Sequence, residues 1–207
     1  MIEPFTASFL SPNKKYRRLS VLMAIHDAPE NSQHKIGRIT HLSSSMVNNY
    51  IKEFQAEALI KISGRTNRTQ RYHLTAEGHN ALMSLLIAYS SEIVQLYGAA
   101  KHEVALRLDR LQEEGISKIA LFGAAETAEV VHAALKNSPF TVVGIVDSDT
   151  KKHGKPFNGF VIQPAEILAK INVDAVVITS FARQEEIYAR IRQVVGDDIK
   201  VKRLSDL

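Results

Sequence analysis

From Lys14 the apolar residues Leu19, Leu22, Met23 and Ile25 recur at helical spacing, and Asp27-Ala28-Pro29 ends the run because proline cannot continue a helix. Ser32 is placed to cap a short second helix carrying Ile36 and Ile39, and Ser43 or Ser44 a third. In that third segment Val47, Ile51, Phe54 and Ala58 fall at i, i+4, i+7 and i+11, which predicts one buried stripe. Off the stripe lie Ser44, Ser45, Asn48, Asn49 and Lys52, small polar or cationic groups able to bond phosphates and base edges. Two short β-type runs then flank Gly64-Arg65-Thr66-Asn67-Arg68-Thr69, a hairpin with a basic tip.

Residues 76–114 contain no proline and one internal glycine, Gly98, with Leu82, Leu85, Leu86, Tyr89, Ile93, Leu96, Val104, Leu108 and Leu111 mostly three to four apart. The spacing predicts one long helix, or two broken near Gly98, with more apolar surface than a monomeric linker would expose; a homodimer paired along it is expected. After Gly115 the pattern becomes an alternation of strands and helices: KIALF, a helix over 123–138, FTVVGIVD, a strand-like GKPFNGFVI, a helix opened by Pro164, VDAVVITS, a helix over 183–195, and IKVKRL. Such alternation with short loops predicts a parallel sheet with flanking helices. The chain is therefore expected to be of α/β class: a winged helix-turn-helix over 1–75, a helical connector over 76–114 and a Rossmann-like domain over 115–207.

Charge sharpens this division. The 207 residues carry a net charge of +4, but residues 1–75 hold 11 Lys/Arg against 5 Asp/Glu, whereas residues 113–207 hold 12 against 13. A basic front joined to a near-neutral remainder points to a polyanion-binding module attached to something else. Hydrophobic residues make up 45% and charged residues 23%, enough to bury a core. No stretch has the length and apolarity of a membrane span, and the first residues lack the pattern of a signal peptide, so a cytoplasmic protein without membrane contact is expected. The absence of cysteine excludes disulfides, thiolate metal sites and cysteine nucleophiles.

Three helices followed by a hairpin, with the run Ser44 to Ala58, the Leu59-Ile60 step and Tyr72-His73-Leu74-Thr75-Ala76-Glu77-Gly78 leaving the wing, resemble the MarR-like branch of winged helix-turn-helix regulators. The resemblance implies double-stranded DNA as partner, the third helix in the major groove, and Arg65, Arg68 and Arg71 of the wing on the neighbouring backbone or minor groove.

The turn Gly123-Ala124-Ala125-Glu126-Thr127-Ala128 stands where a GxGxxG/A fingerprint would. Its first glycine permits the tight turn, and the helix N-terminus offers N–H groups to a phosphate; the methyl of Ala125 at the second glycine position hinders close approach of a pyrophosphate. Asp147, 24 residues after Gly123, ends the second strand where an acid can bond a ribose hydroxyl, with Asp149 beside it. The alternative is that Gly123 and the alanines only let helix and strand pack closely, with Asp147 capping a loop. Val143-Gly144-Ile145-Val146-Asp147-Ser148-Asp149, followed by Gly154-Lys155 and Gly159, resembles the small Rossmann-like domain at the front of capsule and polysaccharide nucleotide-sugar epimerase/dehydratases, and CoA-binding domains. The whole layout is similar to the Rex repressors, which sense NADH, with two departures: Ala125 and the long connector.

These resemblances imply a transcription regulator that senses a nucleotide-type small molecule, whether nucleotide sugar, NAD(H) or CoA ester, with control of polysaccharide genes as one role. The alternatives are a ligand-free interaction platform behind the same DNA-binding head, or a sugar-nucleotide enzyme carrying that head. Enzymatic activity is not expected. The eight histidines, His26, His34, His41, His73, His79, His102, His132 and His153, show no HxxxH or HxH spacing, and no GxSxG or P-loop is present. Tyr97 and Lys101 match YxxxK, but they precede the glycine turn instead of following it.

Overall fold

The computed structural model describes residues 11–64, 66, 69–180 and 183–206, which pack as two compact units dividing between Val94 and Gln95. In the first, α1 (Lys14–Asp27), α2 (Gln33–Thr40) and α3 (Ser44–Ala56) each start at a side-chain cap. Asn13 accepts the Tyr16 N–H at 2.9 Å, Ser32 that of Lys35 at 3.2 Å, and Ser43 that of Met46 at 3.3 Å. The three helices enclose one core containing Leu19, Leu22, Ile25, Ile36, Val47, Ile51 and Phe54. Ala58, expected in the buried stripe, is instead exposed, and Tyr50 is buried. The reason is the helix end. Ala58 has φ +56°, the left-handed residue that turns the chain out of α3, and Leu59 N–H reaches back to Phe54 O at 2.8 Å.

The hairpin follows at once: β1 (Ile60–Ser63) pairs antiparallel with β2 (Arg71–Leu74), Ile60 opposite Leu74 and Ser63 opposite Arg71. Thr75 then welds the strand exit to the next helix. Its hydroxyl donates to Ala58 O at 2.8 Å and accepts the Gly78 N–H at 2.9 Å, while its own N–H bonds Leu59 O at 3.0 Å. That helix, α4 (Ala76–Glu113), runs 38 residues without a break at Gly98. Gly78 is where a side chain is forbidden, because a Cβ there would lie 2.0 Å from Leu59 O.

The second unit is a four-stranded parallel sheet in the order β4-β3-β7-β8. Its strands are β3 (Lys118–Phe122), β4 (Thr141–Val146), β7 (Ala175–Ile178) and β8 (Lys200–Arg203), with α5 (Glu126–Leu135) after β3 and α6 (Gln184–Val195) after β7. Side chains alternate between two cores. Ile119, Leu121, Ala175 and Val177 meet α5 and the α4 residues Leu108 and Leu111; Ala120, Phe122, Val176 and Ile178 meet α6. This is the two-sided burial that makes parallel strands read as unbroken apolar runs.

Two local expectations change. The strand-like GKPFNGFVI is a small hairpin outside the sheet, β5 (Pro156–Phe157) with β6 (Phe160–Val161), turned by Asn158 and Gly159 at φ +48° and +87°. The segment after Pro164 forms a 3-10 helix over Ala165–Ala169 in place of an α-helix. Because β3 leads to β4 on one side and β7 to β8 on the other, the chain reverses its winding between β3 and β7. In open α/β sheets that reversal opens a crevice at the carboxyl ends of the two strands.

Gly78→Ala is expected to destabilise the first unit by about 1–3 kcal/mol through overpacking against Leu59, although alanine is the better helix former by ~1 kcal/mol. Ala58→Gly should stabilise it by about 1 kcal/mol by relieving the left-handed residue. Urea unfolding of both variants checks the pair of opposite signs.

Candidate functional site

On α3, Ser44, Ser45, Asn49 and Lys52 are exposed, and Asn48 is half-buried, accepting from Gln33 Nε2 at 3.5 Å. Arg71 is exposed on β2; Arg65 and Arg68 lie outside the described residues. The acids near the end of α3 are held by α1. Arg18 donates to Glu57 at 3.0 and 2.6 Å and to Glu53, with its guanidinium 5.0 Å from the Phe54 ring centre, and Lys14 pairs with Glu53 at 3.1 Å. The hydrogen bonds from Arg18 keep the Glu57 carboxyl below the usual range. One feature escaped the sequence reading although the signal was present: between Glu30 and Glu53 no acid occurs. This stretch presents Lys35, Arg38 and Lys52, together with His34, all exposed.

The crevice of the second unit is a cavity of about 750 Å³ at the ends of β3 and β7. Of the residues proposed from the sequence, Gly123, Ala124, Ala125, Thr127, Asp147 and Asp149 line it; Glu126 is exposed and not among the lining residues. Sequence reasoning missed Lys152, Thr179, Ser180, Arg183 and Arg190. Thr179 and Ser180 follow the strand next to β3, Arg183 is at the N-cap position of α6 and Arg190 stands on the helix, so only the strand order β4-β3-β7 brings them to Gly123. Gly123 has φ +111°, and a Cβ on it would stand 2.8 Å from Thr179 Oγ1. The Thr179 hydroxyl, 1% exposed, lies 2.9 Å from Phe122 O and 3.0 Å from Gly123 O, locking the end of β7 to the loop.

Asp147 is the most engaged group in the crevice. One carboxylate oxygen accepts the Ala124 N–H at 2.8 Å and Lys152 Nζ at 2.8 Å; the other accepts the Asp149 N–H at 2.9 Å. Lys152 also donates to Ala124 O at 3.0 Å, and His153 Nε2 lies 2.8 Å from Asp147 O. Burial alone would push the Asp147 carboxyl up; the Lys152 and backbone donors outweigh it and hold the group below its ordinary value. Asp149 turns to its own loop, accepting the Lys151 N–H at 2.9 Å. Neither α5, with Ala125 at its N-cap position, nor α6, with Arg183 at its own, has a side-chain cap. The leading N–H groups of a helix have no intrahelical partner, and Ala125, Thr127, Arg183 and Glu186 at these two ends line the crevice. Among the described residues no group of three or more His, Asp or Glu could hold a metal ion, and no helix is long and apolar enough to cross a membrane.

Residues 115–201 match a family model described as C2185-like, N-terminal. No curated protein matches the chain. Among solved structures the chain is similar to the M. tuberculosis transcriptional regulator MosR, with 12% identity over 42% of this chain and 63% of that one, at a TM-score of 0.36. It thus spans under two thirds of that regulator. It is also similar to Bordetella bronchiseptica BpsR, whose DNA binding is regulated by 6-hydroxynicotinic acid, with 21% identity over 42% and 69% of the two chains and a TM-score of 0.35. A third likeness, to RSP in complex with beta-NADH, covers 92% of this chain and 84% of that one at 12% identity and a TM-score of 0.34.

Asp147→Asn should cost the second unit about 1–3 kcal/mol at neutral pH, since Lys152 would lose its charged acceptor. Because folding lowers the pKa of Asp147, its stabilising contribution is complete above the unfolded value near 3.9 and is lost as pH falls through the lower folded value. Thermal melts between pH 7 and 3 should therefore show the gap between wild type and variant closing only at the acid end.

Proposed function

We propose that this chain is a dimeric DNA-binding transcription regulator whose second unit binds a nucleotide-type small molecule. Residues 1–75 hold double-stranded DNA, 76–114 form the connector and dimer helix, and 115–207 bind the ligand. The observation that carries the DNA-binding half is that the exposed residues of the acid-free stretch from Asn31 to Lys52, on α2 and α3, are cationic or uncharged, while Arg18 and Lys14 neutralise the two acids beyond it. Lys35, Arg38, Lys52 and Arg71 supply phosphate contacts; Ser44, Ser45, Asn48 and Asn49 face base edges. A crevice at the winding reversal, with two uncapped helix starts and three cations, supports the ligand half.

The dimer rests on α4. Met83, Ile87, Ser90 and Val94 follow a 4-3-4 spacing, and the apolar members stay exposed, Ile87 at 66% and Val94 at 68%. A second copy of the chain laid along this stripe would remove them from water. Ligand binding changes DNA affinity when the two DNA-binding arrangements bind ligand unequally, typically by about 1–3 kcal/mol.

Fluorescence anisotropy with duplex DNA tests the interface. Arg71→Ala and Lys52→Ala should weaken binding to all sequences alike and lower the salt slope by about 0.9 per lost phosphate contact. Asn49→Ala should change sequence preference and leave that slope unaltered; identical behaviour of the three variants would refute the assignment of groups. Separately, the double change Ile87→Glu and Val94→Glu should convert a dimer to a monomer in analytical ultracentrifugation.

A further inference from the structure

We infer that the crevice grips the phosphoanhydride portion of its ligand through Lys152, Arg183 and Arg190, and that Asp147 does not read a ribose. This rests on the crevice being a nucleotide-type site, and it reassigns the acid that the sequence pattern offered for the ribose.

A carboxylate that recognises a ribose diol must keep lone pairs free toward the ligand. Asp147 has spent three of about four within the chain. Three donors, from Ala124, Asp149 and Lys152, converge on its two oxygens, and its side chain is only 9% exposed. One acceptor site is left, so a ribose diol could place both hydroxyls on this carboxylate only by displacing a charge-assisted bond or a buried N–H, leaving a donor unsatisfied.

Lys152 is in the opposite condition. Its ammonium has three hydrogens, of which Asp147 and the Ala124 carbonyl take two. The third is unspent, and the side chain, a third exposed, lines the cavity. Among the described residues Arg183 pairs with Glu186 three residues on, both side chains being more than 60% exposed, and Arg190 stands 3.5 Å from Glu166 with half its side chain in water. Such exposed pairs are weak enough to yield to a phosphate.

The lining holds three cations and three carboxylates, Asp147, Asp149 and Glu186, so bulk charge does not draw the ligand in. Recognition comes from placed donors: the Lys152 ammonium at the loop, the uncapped starts of α5 and α6, and the guanidiniums of Arg183 before α6 and Arg190 on it. The ligand class that fits is a diphosphate-bearing molecule recognised without its ribose hydroxyls.

Isothermal titration of the full chain with ADP, UDP, their 2′,3′-dideoxy forms and adenosine tests this. The dideoxy compounds should bind within about threefold of their parents, whereas adenosine should bind at least about tenfold more weakly, as should ADP and UDP to Lys152→Met, which loses a charge-assisted donor. Arg190→Gln, which touches no buried group, should weaken the diphosphates several-fold and guards against misfolding of the lysine variant; melting curves accompany both. Loss of affinity on removing the ribose hydroxyls, with Lys152→Met and Arg190→Gln binding as wild type, would overturn the inference and leave the nucleotide site standing. Adenosine binding as tightly as ADP would do the same. If no compound binds, the nucleotide reading itself falls.

Discussion

The buried carboxylate of Asp147 is the constraint around which the second unit is arranged. It closes β4 onto the loop after β3 through the Ala124 N–H, fixes the turn that follows through the Asp149 N–H, and recruits Lys152 from five residues on. A carboxylate this buried is tolerable only with full hydrogen bonding, and removing one partner would leave a charge without compensation. The same bonds that satisfy it deliver a lysine ammonium to the crevice beside a helix start. One cluster thus joins an acid that serves the fold to a base that faces the cavity.

A comparable division appears in the first unit. Glu53 and Glu57 stand close after the polar face of α3, where free carboxylates would repel a polyanion. Arg18 takes both, and its guanidinium covers the Phe54 ring, so the clamp is also part of the packing between α1 and α3. What remains in solvent over residues 31–52 is positive or neutral. Thr75 and Gly78 do for the wing what Asp147 does for the crevice: backbone groups at Ala58 and Leu59 are satisfied by one hydroxyl, and the absence of a single Cβ lets α4 begin against them.

Much of this was legible in the sequence. Serine caps at 32 and 43, the stripe Val47, Ile51 and Phe54, the apolar runs of the sheet strands and the glycine turn at 123 are local signals, set by 3.6-residue periodicity, burial on both sheet faces and cap chemistry. Ala58 broke the stripe because the requirement to reverse the chain outweighed its apolar character. The hairpin at Asn158-Gly159 was announced by that dipeptide but read as strand, since apolar runs too short for periodicity do not reveal whether they join a sheet.

The sequence by itself determined the order of the elements, the charge asymmetry and the residue types available at each strand end, because these depend on neighbours a few positions apart. Only the tertiary structure decided which of them share a crevice. Strand order set Thr179 and α6 beside Gly123, and the three-way engagement of Asp147 turned an apparent ligand contact into a scaffold while exposing Lys152 in its stead. The physical reason is that the engagement of a buried charge depends on the folded path that brings its donors to it, the Ala124 N–H from 23 residues away among them, and no local pattern records whether they arrive.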